Sequence, residues 1–416
     1  MFFLYQVILS ILLLVSPVLI FYRILINKES KDRFYEKYTF FSKKKKKGKL
    51  IWFHGASVGE ILSVIPLIEK YEKDKSITQI LVTSSTLSSS KVLKRYGFKK
   101  TIHQFYLFDL FFLTSRFLDY WKPNIAIFID SEIWPAMFKT LYKKNIPLLL
   151  LNARLTKKSF DRWYKYKYFS ESIFKLITKA YPQNLETKNF LKKLGVEKIK
   201  YIGNIKFSEN YNDKRNNIAP SLKKKFKNKK IWVASSTHSG EEIFCVKAHL
   251  ELKKKIKNLI TIIIPRHINR ANEIISEISK FNLNIVSHSS KSKSFKKLDI
   301  YLVDTFGETK KFFKIASTVF LGGSVIKRGG QNPLEAARYG SNILHGQNID
   351  NFKDVYKLLN SLNISKKVAN YMELASSISF IRNQKIGLKI NKIGKIILKN
   401  TLKEVDTQIK NEFKKT

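Results

Sequence analysis

The stretch TVFLGGSVIKRGGQNPLEAARYG, residues 318–340, decides how the rest of the chain is read. An apolar run, Val319 to Leu321, breaks into Gly322-Gly323-Ser324, then Gly329-Gly330, and ends in the helix-forming Leu334-Glu335-Ala336-Ala337. A strand that opens through glycines into a helix start has the form of a phosphate-holding turn, because bare backbone lets an anion approach the helix amides. Asn332 is expected as the N-cap, Pro333 as the first helical residue and Gly340 as the stop. The competing reading is structural: Asn332 and Glu335 also have the spacing of a capping-box-like pair.

Working outward, the same alternation of apolar run and amphipathic stretch recurs along the chain. Leu50–His54, Ile80–Thr83, Ile125–Asp130 and Pro147–Leu151 read as buried parallel strands of a first half. Ile231–Ser235, Leu259–Ile264, Ile300–Asp304, Val319–Leu321 and Ile343–His345 read as those of a second. The fold class is therefore α/β, with two Rossmann-like, doubly wound domains expected to face a cleft. Domains are expected at residues 27–207 and 231–386, joined by a linker rich in Asn and Lys at 208–230 and followed by a basic helical tail at 387–416.

At 416 residues the chain exceeds one ordinary core, which agrees with two domains. Lys and Arg number 78 against 32 acidic residues, a formal +46. Lys, Ile, Asn and Phe share A- and T-rich codons, so the charge is discounted as a functional signal; an attraction for anionic partners survives the discount. One cysteine, Cys245, excludes an internal disulfide. Residues 1–26 hold no charge before Arg23, and as a helix they would be roughly 39 Å long, enough to cross a bilayer. With Lys28, Lys31, Arg33 and the run Lys43–Lys47 following, the segment is expected to be a membrane anchor that keeps the rest cytoplasmic. A helix lying in the interface is the alternative.

Candidate chemistry gathers after the expected strands. Gly55-Ala56-Ser57-Val58-Gly59-Glu60 places Glu60 at a glycine-opened helix start, where it serves as a general base or, with Ser57, as a capping box. Ser239 with Glu242 and Thr305 with Glu308 repeat the spacing, so capping reads as a general device. Asp130-Ser131-Glu132 is a weak divalent-metal pattern or a solvated turn, and no zinc spacing occurs among the histidines. Arg154, Lys206 and Arg266 end further strands as possible phosphate contacts or surface charges, and Pro265 fixes a loop able to read a base edge. No GxGxxG, Walker A or G-x-S-x-G stretch appears, which removes support for a dinucleotide dehydrogenase, P-loop ATPase or α/β-hydrolase.

In order, eight blocks resemble the Kdo transferases of Gram-negative bacteria, from the N-terminal anchor to about Phe352. They are Trp52–Glu60, Glu132–Pro135, Asn152–Leu155 with Ser159-Phe160, Gly203–Phe207, Ser236–His238 with Gly240–Glu242, Pro265–His267, Asp304-Thr305 with Gly307-Glu308, and the opening glycine stretch. The resemblance implies a GT-B fold and inverting transfer of 3-deoxy-D-manno-octulosonic acid (Kdo) from CMP-Kdo to a lipid A precursor, in lipopolysaccharide biosynthesis at the inner membrane. It implies Glu60 as catalytic base and Glu132 as an active-site acid. Donor contacts fall on Pro265, Arg266, Gly322, Gly323, Ser324, Asn332 and Glu335, and Ser57, Arg154, Lys206 and Asn351 line the site. No metal and no cofactor are implied. Departures are Asp130 where Glu is usual, Gln331 where His is usual, and Gly346-Gln347-Asn348 where Gly-Pro-His is usual. Two rival readings stand beside it: a GT-B enzyme using a UDP-sugar, of the lipid A disaccharide synthase or epimerase kind, and a membrane-tethered RNA or phospholipid binder suggested by charge alone.

Overall fold

A computed structural model describes residues 1–208, 217–290, 295 and 297–414. Contacts divide the chain into two units, Met1–Glu209 with Gly394–Thr416, and Asn210–Ile393.

The first unit is built on β1 (Leu50–His54), β2 (Gln79–Ser84), β3 (Thr101–Phe105), β4 (Ile125–Ile129), β5 (Leu148–Ala153) and β6 (Lys179–Pro182). They form one sheet in the order β3-β2-β1-β4-β5-β6, every pairing parallel. A parallel strand sits between two helical layers, which explains why every residue of β1 is buried. With side chains alternating, Leu50 and Trp52 enter a cluster with Phe117, Trp121 and Phe138, while Ile51 and Phe53 enter one with Val64, Ile68 and Tyr71.

The second unit holds β7 (Lys230–Thr237), β8 (Leu259–Pro265), β9 (Ile285–Ser287), β10 (Ile300–Leu302), β11 (Thr318–Leu321), β12 (Asn342–His345) and β13 (Ser365–Lys367). Their order is β13-β12-β11-β7-β8-β10-β9, again parallel throughout. Each sheet has a central reversal of strand order, between β1 and β4 and between β7 and β11; the second sheet also places β9 outside β10 at its edge. The carboxyl ends of the strands at such a reversal are where open α/β sheets bind ligands.

Helix Phe2–Leu25 is long and apolar enough to cross a membrane. One side of it belongs to the first unit, where Phe2, Leu9 and Leu13 pack on the cluster that contains Trp52; Phe3, Leu14 and Val18 are exposed. Part of the expected linker is structured: Pro220–Lys225 is helical and β7 begins at Lys230, while 209–216 lie outside the described residues. The expected tail is one helix, Gln384–Phe413, which starts earlier than the composition suggests; residues 415–416 lie outside the described set. From Gly394 onward this helix belongs to the first unit, where Val405 and Ile409 join the cluster on the Phe53 face. Ile409→Ala should therefore cost about 2–4 kcal/mol in a denaturant titration. Ile396→Ala, at a side chain 52% exposed, should stay within about 0.5 kcal/mol. Equal effects at both positions would show that the helix is not part of that core.

Candidate functional site

In the first unit the groups at the sheet reversal are organised by one histidine. His54, the last residue of β1, is wholly buried, and its ring lies 2.9 Å from Thr83 Oγ1 through Nδ1 and 3.1 Å from Glu132 Oε2 through Nε2. Trp52 Nε1–H donates to the same Thr83 oxygen at 2.9 Å, and His54 Nε2–H faces Glu132. Trp134 Nε1–H also donates to Glu132 Oε2, at 2.9 Å. Burial alone would raise the Glu132 pKa, but the hydrogen bond and charge of His54, with the Trp134 indole, outweigh it and hold the group below the ordinary value.

Glu60 stands at the start of helix Val58–Lys73 with Ser57 as N-cap. Ser57 Oγ accepts from the Glu60 N–H at 3.4 Å as the N-cap, and Glu60 takes Ser57 Oγ–H on Oε1 and the Ala56 N–H, one residue before the cap, on Oε2, both at 2.7 Å, so the structure is a variant of the expected capping box. The carboxyl is nonetheless half-buried, and burial pushes its pKa up to about 7; the Ser57 bond opposes the shift, and the charges of Glu132 and Asp130 add to it. Asp130, at φ +65°, receives Lys206 Nζ on Oδ2 at 2.6 Å, while its Oδ1 is buried without a hydrogen-bond partner. Arg154 follows β5 and donates its backbone N–H to the Asp130 carbonyl at 3.1 Å. Asn152 Oδ1 accepts from the Ile205 N–H at 2.9 Å and so fixes the turn that presents Lys206.

In the second unit the organising group is a carboxylate. Glu241, fully buried at the start of helix Glu241–Lys253, accepts from the backbone N–H groups of His238 (3.0 Å) and Gly323 (2.7 Å) on Oε2, and of Ser324 (3.2 Å) and Val325 (3.0 Å) on Oε1. The Gly322 N–H donates to the Ser235 carbonyl at 2.8 Å. A side chain at Gly322 would meet Glu241 and Thr237 within 2.7 Å, so only glycine permits this approach. Ser324 Oγ accepts from the Gly346 N–H at 2.8 Å, and Asn348 Nδ2 donates to the Ser324 and Val325 carbonyls at 3.2 and 3.0 Å. Pro265 closes β8 in register with Thr237, and the exposed Arg266 follows, its N–H on the Thr237 carbonyl at 2.9 Å.

Residues 32–209 match the family described as 3-deoxy-D-manno-octulosonic-acid transferase (kdotransferase). A 3-deoxy-D-manno-octulosonic acid transferase of Rickettsia bellii is 34% identical over 406 residues, covering 92% of this chain and 96% of that protein. The chain belongs to the Kdo transferase family. The enzyme of the same name from Haemophilus influenzae is 30% identical over 358 residues, with 84% of each chain covered. The crystal structure of a protein assigned as a UDP-N-acetylglucosamine 2-epimerase from Listeria monocytogenes superposes with a TM-score of 0.61 at 14% identity, covering 89% of this chain and 98% of that one. That likeness shows the fold, a GT-B-like pair of parallel-sheet domains.

As a Kdo transferase the chain is a glycosyltransferase, and its sequence-expected residues fall into two groups. Ser57, Glu60, Glu132 and Arg154 lie at the strand ends of the first unit, and Lys206, expected to end a strand, sits instead on the turn Ile205–Ser208 and reaches Asp130 there; Pro265, Arg266, Gly322, Gly323, Ser324, Asn332, Glu335 and Asn351 lie in the second. Three expectations need correction. In the stretch expected to hold a phosphate, the amides of Gly322, Gly323 and Ser324 are already bonded to Ser235 and Glu241, because a carboxylate from the neighbouring strand end fills the nest. The helix after the glycines is only Leu334–Ala337, with Pro333 as its cap; Asn332 Oδ1 accepts from the Leu334 N–H at 3.1 Å, and Glu335 lies 4.0 Å from Lys310. Capping is not general at this spacing. Glu242 is drawn instead to Arg270 at 2.9 Å, and Glu308 is itself the cap residue, in contact with Lys311.

Asn351 ties the glycine stretch down, its Nδ2 donating to the Arg328 carbonyl at 3.1 Å. Among the described residues no group of three or more His, Cys, Asp or Glu is gathered to hold a metal. Sequence reasoning missed His54 as the partner of Glu132 and Glu241 as the clamp. Both sit inside blocks that carry the family resemblance, and three of the four partners of Glu241 lie more than eighty residues away. Glu241→Gln should lower the stability of the second unit by about 2–4 kcal/mol, because an amide NH2 would then face backbone donors. Thermal unfolding measures it; an unchanged transition would mean the loop stands without the clamp.

Proposed function

We propose that this Kdo transferase is an inverting enzyme that moves Kdo from CMP-Kdo to a lipid A precursor, with Glu60 as general base. The observation that carries the assignment is the pair of acids at one strand reversal whose proton affinities are pushed apart. Glu60 lies near 7 through burial, while Glu132 is held low by His54 and Trp134. A base must match the working pH, and a permanently ionised neighbour supplies charge rather than proton transfer. Each Glu60 oxygen accepts one protein hydrogen bond and retains a lone pair for the attacking hydroxyl. Asp130 Oδ1, buried without a partner, suits a second sugar hydroxyl, and Lys206 and Arg154 suit an acceptor phosphate.

In the second unit Arg266 is exposed, and among the described residues no carboxylate lies within 4.0 Å of its guanidinium, which suits it to the donor phosphate. Pro265 and its loop are assigned to the cytidine, Asn332 and Glu335 to the ribose and phosphate side. The glycine loop contributes close approach rather than amide bonds. CMP leaves as a phosphate monoester, so cationic side chains suffice for its charge and the reaction needs no divalent metal. The UDP-sugar alternative has only a likeness of fold behind it, and charge alone supports the nucleic-acid reading.

Helix Phe2–Leu25 is assigned as the anchor, with the catalytic units on the cytoplasmic face beside Arg23, Lys28 and Lys31. Because one side of it packs on the first unit, a helix lying along the inner leaflet fits better than one running away across it. A membrane-impermeant amine reagent should leave Lys43–Lys47 unlabelled in intact spheroplasts; labelling there would reverse the orientation.

Incubation of the purified protein with CMP-Kdo and a lipid A precursor in EDTA should raise the acceptor mass by one or more Kdo residues, and a product formed only with magnesium would overturn the metal-free reading. With Glu60 as base, kcat/KM should climb about tenfold per pH unit below 7, as the carboxyl loses its proton, and level off above. Glu60→Gln should remove that limb and lower turnover roughly 100- to 10,000-fold while CMP affinity stays the same. A variant retaining more than about a tenth of wild-type turnover would reduce Glu60 to a helix cap.

A further inference from the structure

We propose that the N-terminal helix is a working part of the catalytic scaffold: Tyr5 and Asp109 together complete the missing cap of helix Pro135–Lys143 and thereby position Glu132 and Trp134. The inference rests on the assignment of Glu132 to the active site. Helix Pro135–Lys143 begins one residue after Trp134, and its own N-cap residue supplies no side-chain hydrogen bond. Asp109, from the loop after β3, supplies the cap from outside. Its Oδ2 accepts from the Ala136 N–H and its Oδ1 from the Met137 N–H, both at 2.8 Å.

This carboxylate is 1% exposed, and a buried charge needs donors on every side. The third donor is the Tyr5 hydroxyl, 2.8 Å from Oδ2. Next to it Gln6 brackets the same loop, Nε2 donating to the Asp109 carbonyl at 3.2 Å and Oε1 accepting from the Phe111 N–H at 3.0 Å. Phe2 packs edge-on against Phe111 with centroids 5.1 Å apart, and the Lys139 ammonium of the capped helix sits 3.8 Å above the Phe2 ring. Burial pushes the Asp109 pKa up to about 6, and the Ala136, Tyr5 and Met137 bonds restrain it.

The loop that carries Asp109 also carries Tyr106. Its ring stacks on His54 at 3.8 Å and leans on Trp134 at 5.1 Å, the two groups that bond the same Glu132 oxygen. The loop thus touches Glu132 by two routes, through the Tyr106 ring and through the start of the helix that follows Trp134. Tyr5 and Asp109 are positioning residues; neither is placed on the substrate.

The test is Tyr5→Phe in the full-length protein, with the indole N–H resonances of 15N-tryptophan-labelled enzyme as direct readout and Trp134→Phe to assign the relevant one. The Trp134 resonance should move and kcat should fall roughly 10- to 100-fold, as expected for a misplaced active-site group. KM for the CMP-linked donor, vesicle binding and the thermal transition should remain near wild type, and the loss should be the same in detergent micelles as in vesicles. An unmoved Trp134 resonance, or a moved one with unchanged kcat, overturns the proposal. So does a loss of activity that appears only together with lost vesicle binding, because the helix would then be an anchor alone. Glu132→Gln separates the two claims. Full activity in that variant refutes the role of Glu132, whereas the Trp134 shift in Tyr5→Phe still reports whether the cap runs through Tyr5.

Discussion

Buried Glu241 takes four backbone N–H groups in the second unit, and Asp109 takes two and Glu60 one in the first. Parallel sheets create the need for this. At the carboxyl end of every strand the chain turns into a helix whose first amides have no partner within the helix. Where two such turns meet at a reversal of strand order, a carboxylate from one can satisfy the amides of the other. The geometry of the functional ends then depends on a few acids whose charge is distributed over backbone dipoles, which are fixed in a way that lysine side chains are not.

The contrast with the rest of the chain's charge is instructive. Seventy-eight basic residues surround thirty-two acidic ones, yet Glu241 is held without any lysine, and Glu132 is held by His54 and Trp134. Ion pairs to lysine, such as Lys144 with Asp119 and Lys157 with Asp161, sit on exposed side chains, where screening leaves each worth about 0–1 kcal/mol. Lys206 with Asp130, like Lys37 with Glu29, is largely buried on both partners. Net charge describes what this protein attracts; it says little about what holds the site together.

Among the described residues nine of the thirteen strands are legible in the sequence, and the four that are not, Thr101–Phe105, Lys179–Pro182, Ile285–Ser287 and Ser365–Lys367, are the four sheet edges. Interior parallel strands are covered on both faces and must be continuous apolar runs. Edge strands are covered less and carry polar residues such as His103, Gln104 and Lys179, so periodicity does not betray them. The site divides in a similar way. The contact of Glu60 with Ser57 is readable because an N-cap and the residue three positions on are local. The claim of Glu241 on the amides of the glycine stretch is not legible, and neither is that of Asp109, whose partners come from residues 5, 136 and 137. Long-range claims on backbone groups leave no trace in local sequence.

The division of the chain also sets an order of events during synthesis. The first unit is made of the first 209 residues and the last 23, Gly394–Thr416, with the whole second unit encoded between them. Leu398, Leu402, Val405 and Ile409, which cover the Phe53 face of the first sheet, therefore leave the ribosome after the whole second unit. At about 5–20 residues per second, that sheet waits on the order of 10–40 s after its last strand is made, with one apolar face open. The unit begun first is completed only after the second has been made, and during that interval its open face is a surface for chaperones.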